Sequence, residues 1–208
     1  MKKSYLTLIA LVFLSLTSFS QKPFETYTME YLKDGKEYTI DIAIDTTKKD
    51  DFSLYTDMYS TDASTKSLGI IITNKNYESF IEALNAAKAK YIEWTKVAKE
   101  NNVKELRKEI EVNAKNIKGY FLYGSKWKFD YSISLSFTFS VISLESGLKY
   151  VLIVGTGKMT ASDNQFMETD SGLIVFSNVN EIDDFLSKIT LDKINEFKTK
   201  PKKEDLFK

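Results

Sequence analysis

A row of hydroxyl side chains is the most unusual chemical feature of the chain. Between residues 129 and 141, apolar residues alternate with small polar ones. Side chains along a β-strand point to opposite faces in turn, so this alternation predicts one long, half-buried strand. Its polar side would form a flat surface on which a ligand or a partner protein could lie; a wet face without a function is the alternative. The hydroxyl side chains are Ser132, Ser134, Ser136, Thr138 and Ser140.

Tyrosines form a second candidate contact surface. Tyr55 and Tyr59 alternate with apolar residues in a predicted strand over residues 52–60, so both would lie on its outer side. An exposed tyrosine presents an apolar ring and a polar hydroxyl group, which suits it to contacts with sugars or proteins. The alternative is that a helix or a second sheet covers this side, because each layer of a domain must bury a face.

Carboxylates could supply acid–base chemistry. Asp41, Asp45, Asp57 and Asp62 lie in or near predicted strands, and two carboxylates are enough for glycoside hydrolysis. Their spacing does not fix a pair, so surface acids are the simpler interpretation. The oxygen-rich stretch 163–170 lacks the spacing of an EF-hand calcium loop, and residues 161–171 are predicted to form a surface loop.

Two missing residue types exclude several chemistries. The 208-residue chain contains no His and no Cys. It therefore has no imidazole base, no thiol nucleophile, no disulfide and no metal site built from these ligands. Arg107 is the single arginine, whereas phosphate recognition normally draws on several. We predict no cofactor and no metal, and a binding protein is favoured over an enzyme.

The first twenty residues have the pattern of a Sec signal peptide. Lys2 and Lys3 precede an apolar run over residues 5–16, and small residues precede a cut after Ser20. The apolar run is shorter than the roughly 20 residues that cross a bilayer. We predict export to the periplasm or the extracellular space, a mature chain that begins at Gln21, and no transmembrane segment in that mature chain.

The charge distribution argues against a nucleic-acid partner. Lys and Arg together number 29, as do Asp and Glu, and removal of the signal peptide takes away two lysines and no acid. Lysines are concentrated in the tail 198–208, which leaves the body mildly acidic. Nucleic-acid binding needs a basic patch or stripe, so we expect an envelope protein or a small ligand as the partner. The tail is predicted to be disordered.

Hydrophobic periodicity predicts an α+β fold dominated by antiparallel strands. Two alternating runs, 26–33 and 36–45, flank Asp34-Gly35, which is a strong hairpin signal. Residues 76–101 change to helical spacing, with Asn76 as the N-cap. A second helix is predicted over 180–190, capped by Asn180, and both helices are expected on one side of the sheet. Further strands are predicted at 67–73, 105–113 (where a helix is the alternative), 119–123, 126–141, 148–154 and 172–177.

Two stretches of the chain resemble each other. Residues 70–76 and 174–180 each combine a short apolar run, a hydroxyl residue and Asn-x-Asn at the start of a helix. This favours a duplicated unit with halves 26–102 and 103–197 inside one domain of residues 21–197. Chance reuse of the same residue types at a strand–turn–helix junction is the alternative.

Together these observations predict an exported, non-enzymatic module of the bacterial envelope that binds a ligand or a protein. A hydrolase that uses carboxylates to act on envelope or extracellular polymers is the alternative. A third hypothesis is an assembly component whose lysine-rich tail contacts a negatively charged surface.

Overall fold

The computed structural model describes residues 21–31, 36–48, 51–61 and 67–199. The predicted signal peptide and the turn Asp34-Gly35 lie outside these residues, as does Asp62. Of the lysine-rich tail, only Lys198 and Thr199 are described. Signal cleavage and the state of the tail therefore stay predictions.

The described residues form two antiparallel sheets, a separate hairpin and three helices, which confirms the predicted α+β class. The strands are β1 (Lys22–Tyr31), β2 (Lys36–Asp45), β3 (Ser53–Asp57), β4 (Tyr59–Ser60), β5 (Leu68–Thr73), β6 (Leu106–Glu109), β7 (Lys118–Tyr123), β8 (Lys126–Asp130), β9 (Ser136–Leu144), β10 (Gly147–Gly155), β11 (Met159–Ala161), β12 (Asn164–Thr169) and β13 (Gly172–Phe176). The helices are α1 (Tyr77–Glu100), α2 (Val179–Lys188) and α3 (Leu191–Thr199).

The first sheet has six strands in the order β1-β2-β3-β5-β7-β8. Its first two strands pair antiparallel, with Tyr31 opposite Lys36, which confirms the predicted hairpin. Alternate residues point into the core, where Leu54, Ile70 and Ile72 are completely buried. The opposite side of this sheet carries Tyr55 and its neighbours and is called here the outer face.

The second sheet has five strands in the order β4-β13-β10-β9-β6. The remaining two strands, β11 and β12, pair with each other, so the prediction of an irregular loop over residues 161–171 is wrong. Their hairpin lies against β8, because the Ser162 amide donates to the Phe129 carbonyl over 2.8 Å. This places the hairpin at one end of the first sheet.

Two predicted strands pass from one sheet to the other. Residues 52–60 form β3 in the first sheet and β4 in the second, with Met58 between them. Residues 126–141 likewise form β8 and β9, separated by residues 131–135. The expectation of unbroken strands is wrong at both places. Alternating hydrophobicity indicates which side chains of a strand are buried, but it does not indicate which other strand pairs with it.

The long helix α1 carries the predicted apolar stripe and packs across β9 and β10. The rings of Tyr91 and Trp94 lie 6.0 and 5.9 Å from the ring of Phe139. In the described part of the chain, no helix has the length and apolar character that a bilayer crossing requires.

Asn76 is the N-cap residue of α1, as predicted, whereas the predicted cap of α2 is wrong. Asn76 precedes α1 but makes no capping bond, because its side chain binds Thr73 and Asn116 instead. At α2 the cap is Asn178, two residues earlier than predicted, and its side-chain oxygen accepts from the Glu181 amide over 3.0 Å. The Asn-x-Asn pattern therefore marked both helix starts but gave the correct N-cap residue only for α1.

The two halves share three elements in the same order, but the second half also contains β6, β7 and β8 before them, and the strand pairing differs. Each runs through a hairpin (β1-β2, β9-β10), a buried strand (β5, β13) and a helix (α1, α2). In the second half β13 pairs directly with β10, whereas β3 lies between β2 and β5. The duplication stays a prediction.

Buried tyrosine hydroxyls join distant segments of the core. Each donates to main-chain carbonyl oxygens: Tyr27 to Val175 (3.0 Å) and Tyr77 to Ile189 (2.9 Å), while Tyr91 shares its single proton between Tyr150 and Ser177 (3.0 and 3.1 Å). Burial raises the pKa of Tyr91 to about 12, so this hydroxyl keeps its proton and acts as a donor.

The shared hydrogen bond of Tyr91 yields a stability prediction. Tyr91→Phe keeps the ring and removes this bond from both carbonyl groups, and it should lower the free energy of unfolding by about 1–3 kcal/mol. Tyr123→Phe is the control, because Tyr123 is 47% exposed and its change should stay within about 0.5 kcal/mol. Urea unfolding of both variants checks this, and equal effects would contradict it.

Candidate functional site

The structure separates the two tyrosines that were predicted to lie together. Tyr55 lies on the outer face of the first sheet. Tyr59 belongs to β4 in the second sheet, where its ring lies 4.6 Å from that of Tyr38. The change of sheet at Met58 divides the predicted pair, so only Tyr55 lies on the outer face.

The predicted row of hydroxyls is also divided. Ser132 and Ser134 are exposed in the segment between β8 and β9, and Ser136 is half-buried. Thr138 and Ser140 are buried, with 7% and 4% of their surface exposed. A flat surface made of all five side chains does not form, because the predicted strand is broken between the two sheets.

Aromatic side chains from three strands meet on the outer face. The rings of Tyr55 (β3) and Tyr120 (β7) lie 5.7 Å apart, and the rings of Tyr120 and Trp127 (β8) lie 5.7 Å apart. Phe129 stacks on Tyr131 at 6.3 Å. Edge-to-face and offset contacts of this kind stabilise aromatic clusters. Sequence reasoning missed the partners of Tyr55, which are distant along the chain.

A row of residues across the first sheet fixes the centre of this cluster. Asp57, Gly69, Tyr120 and Phe129 are successive cross-strand neighbours on β3, β5, β7 and β8. The Tyr120 side chain passes over Gly69, and its hydroxyl donates to the Asp57 carboxylate. A Cβ atom at Gly69 would lie 2.6 Å from the Tyr120 ring carbon Cζ. Glycine is therefore required here by close approach.

The Asp57–Tyr120 pair has unusual protonation behaviour. Burial raises the pKa of Asp57; the Tyr120 hydroxyl counteracts part of this shift, and the nearby negative charge of Asp41 adds to it. Burial, the Asp57 charge and the hydrogen bond to it hold the pKa of Tyr120 well above its usual range. Tyr120 consequently stays protonated and keeps donating to Asp57.

Three neighbouring depressions border the aromatic cluster of the outer face. The first has a volume of about 480 Å³ and reaches Tyr55. The middle one is shallow, with a volume of about 10 Å³, and is lined by Gln21, Tyr55, Tyr120, Trp127 and Phe129. The third has a volume of about 240 Å³ and shares Trp127 and Phe129 with the middle one. Because neighbouring depressions share aromatic residues, they are treated as one site and called the groove.

The first end of the groove is polar. Its lining includes Asp45, Asp51, Lys118 and several asparagines. Internal bonds hold these groups: the Asn74 amide donates to Asp51 over 2.6 Å, and Asp45 accepts from the Thr47 amide over 2.8 Å. Burial and the Asp45 charge raise the pKa of Tyr55.

The third depression is polar on one side. Lys128 and Asp163 form an ion pair of 2.7 Å, and Ser162 accepts a bond from the Tyr131 amide over 3.0 Å. The Lys118 ammonium lies 5.1 Å from the centre of the Tyr131 ring, which is a cation–π distance. The groove is thus polar at both ends and aromatic in the middle.

The carboxyl groups near this site are poorly placed for acid–base catalysis. Neither Asp57 nor Asp41 lines the depressions described above, and the Asp57 carboxylate is occupied by Tyr120. Among the described residues, no group of three or more acidic side chains could hold a metal ion.

No family model, no curated protein and no solved structure matches the chain. The chemistry of the groove is therefore interpreted from its own residues.

The close approach at Gly69 yields a second prediction. Gly69→Ala places a methyl group against the Tyr120 ring and the Thr56 carbonyl. Overpacking of this kind costs about 1–3 kcal/mol of the free energy of unfolding. Thr39→Ala, an exposed change in β2 of the same sheet, should cost less than about 0.5 kcal/mol. Urea unfolding compares them, and a Gly69→Ala protein as stable as the control would contradict the packing argument.

The raised pKa of Asp57 yields a prediction with a defined sign. A carboxyl group whose pKa is higher in the folded state stabilises the fold below its unfolded pKa of about 3.9 and loses this contribution as pH rises through the folded pKa. The unfolding free energy of the wild type minus that of Asp57→Asn should therefore fall between about pH 3 and pH 7. Urea unfolding across this range measures the difference.

Asp163 provides the control of opposite sign. Its hydrogen bond to Lys128 lowers its pKa, so the difference between the wild type and Asp163→Asn should rise over the same pH range. If the two differences in unfolding free energy change in the same direction with pH, the pKa of Asp57 is not raised in the folded protein.

Proposed function

We propose that the protein is a non-enzymatic binding module of the bacterial envelope and that its ligand lies in the groove on the outer face of the first sheet. The observation that carries the proposal is the aromatic cluster of Tyr55, Tyr120 and Trp127, which lies between two larger depressions that contain polar groups. Ligand sites in proteins typically combine apolar walls with a few placed polar groups. The envelope location rests on the predicted signal peptide.

The rigidity of the aromatic centre supports binding. Tyr120 is 4% exposed, held by the Asp57 carboxylate, and in contact with both Tyr55 and Trp127. Trp127 itself is 38% exposed, so its ring presents area to a ligand. A preformed surface loses little side-chain entropy on binding, which favours affinity.

The hydrolase alternative is less well supported. A glycosidase needs two carboxyl groups that flank the reacting bond. The raised pKa of Asp57 would suit a general acid, but its carboxylate binds Tyr120 and does not line the groove. On the binding proposal, Asp57→Asn keeps an oxygen acceptor for Tyr120 and leaves ligand retention unchanged. An acid catalyst at this position would instead lose turnover in the same variant.

Truncation of the aromatic centre tests the proposal. The purified protein is immobilised, and retention of a soluble envelope extract from its own host is followed by biolayer interferometry. Tyr55→Ala and Trp127→Ala should each weaken retention by about tenfold or more, equivalent to about 1.4 kcal/mol. Circular dichroism and urea unfolding check that each variant is folded.

Tyr123→Ala is the matched control. Tyr123 lies three residues after Tyr120 on β7, so strand alternation places it on the opposite side of the sheet. It is exposed and is absent from the lining of the groove. Retention equal to the wild type is expected. If all three alanine variants retain the extract equally, or if the wild type retains nothing, the binding proposal is wrong.

A further inference from the structure

We infer that the ligand of the groove is an uncharged, polyhydroxylated chain, namely a segment of a neutral glycan. This inference rests on the proposed function and adds the chemical class of the ligand. It is argued from the shape of the groove, the chemistry of its centre and the charges at its ends.

The shape of the groove suits an elongated ligand. Its aromatic residues lie on β3, β7 and β8, and β5 fills the space between the first two. Three interstrand spacings correspond to about 14 Å. The depressions at the two ends extend the site further, so a chain of linked rings covers it better than a single small molecule.

The centre of the groove suits sugar rings. One face of a pyranose ring is lined by C–H groups and packs on an aromatic ring, while the hydroxyl groups at its edge need hydrogen-bond partners. Tyr55 and Trp127 supply rings, and the Gln21 side chain lies beside them in the middle depression. Tyr55 and Trp127 can therefore pack against the C–H face of a sugar ring, while the neighbouring Gln21 bonds to a hydroxyl group at the edge of that ring.

The ends of the groove disfavour a charged polymer. At the first end Asp45 and Asp51 lie among lysines, and at the other end Lys128 is paired with Asp163 over 2.7 Å. A polyanion or a polycation would meet charges of its own sign at both ends. A hydroxyl group both donates and accepts hydrogen bonds, so it can use carboxylates, amides and ammonium groups alike.

Competing ligand classes fit the groove less well. An extended peptide that adds to a sheet needs the free edge of a strand. β3, β5 and β7 are paired on both edges, and the outer edge of β8 already accepts a main-chain bond from Ser162 at Phe129. A nucleic acid needs a basic surface, whereas Asp41, Asp45 and Asp57 lie on this face.

Selective degradation of either the glycans or the proteins in the extract tests the inference. The host envelope extract is divided into an untreated sample, a sample oxidised with periodate and then quenched, and a sample digested with proteinase K that is afterwards inactivated. Periodate cleaves the vicinal diols of sugars, and the protease cleaves peptides. Retention of each sample by the wild type, Trp127→Ala and Tyr123→Ala is measured at about 0.05 M and about 0.5 M NaCl, since salt screens charge contacts.

The expected result is that periodate reduces wild-type retention at least about tenfold, while protease treatment and added salt change it less than about twofold. Retention by Tyr123→Ala should equal that of the wild type for every sample, and Trp127→Ala should show weak retention of all three samples. Loss after protease treatment, survival after periodate or a strong salt dependence would overturn the glycan assignment and leave the binding function standing. No retention of the untreated extract would instead remove the binding proposal itself.

Discussion

The two sheets share one hydrophobic core, and this constraint decides which side chains of the first sheet face outward. α1 packs across β9 and β10, and α2 packs on β1 and β13. The buried hydroxyls of Tyr27, Tyr77 and Tyr91 bind main-chain groups of distant segments in this core. This packing lies on the inner side of the first sheet, whereas the rings of Tyr55, Tyr120 and Trp127 meet on its outer face.

An aromatic cluster on that face creates its own physical requirements. Tyr120 is largely covered by its neighbours, and a buried hydroxyl needs a hydrogen-bond partner. The Asp57 carboxylate meets this need, but it is then itself partly removed from water, which is why its pKa is raised. Gly69 makes the arrangement possible because the ring passes over it. The three residues form one unit, in which each member depends on the other two.

The sequence was informative where the signal is local. The hairpin β1-β2, the buried strand β5 and the helix α1 were predicted from turn residues and periodicity, and Tyr55 was singled out as an outward-facing side chain. Its partners were not predictable in the same way. The turn at Gly124-Ser125 pairs β7 with β8, which brings Trp127 and Phe129 close to Tyr120. No local pattern indicates that β7 lies next to β5.

The two wrong predictions of surface residues have the same origin. Tyr59 and the hydroxyl row were assigned by alternation within one strand, but the chain changes sheet at Met58 and again between β8 and β9. Alternation continues through both changes because every strand places successive side chains on opposite sides of its sheet; over residues 137–141 of β9 the apolar and the polar side chains are both buried. The hydrophobic pattern therefore stays the same where the chain passes from one sheet to the other. The strands that pair with the later residues differ, and the pattern does not show this.

The second end of the groove depends on an element that the sequence did not reveal. The β11-β12 hairpin supplies Ser162 and Asp163, and it is tied to β8 by the Ser162–Phe129 main-chain bond and the Lys128–Asp163 ion pair. Phe166 on this hairpin is 83% exposed, so little apolar burial holds its outer part. Elements with few buried apolar contacts open locally at lower free energy than the core. The proposed site thus combines a closely packed aromatic centre with a hairpin end that has little apolar burial.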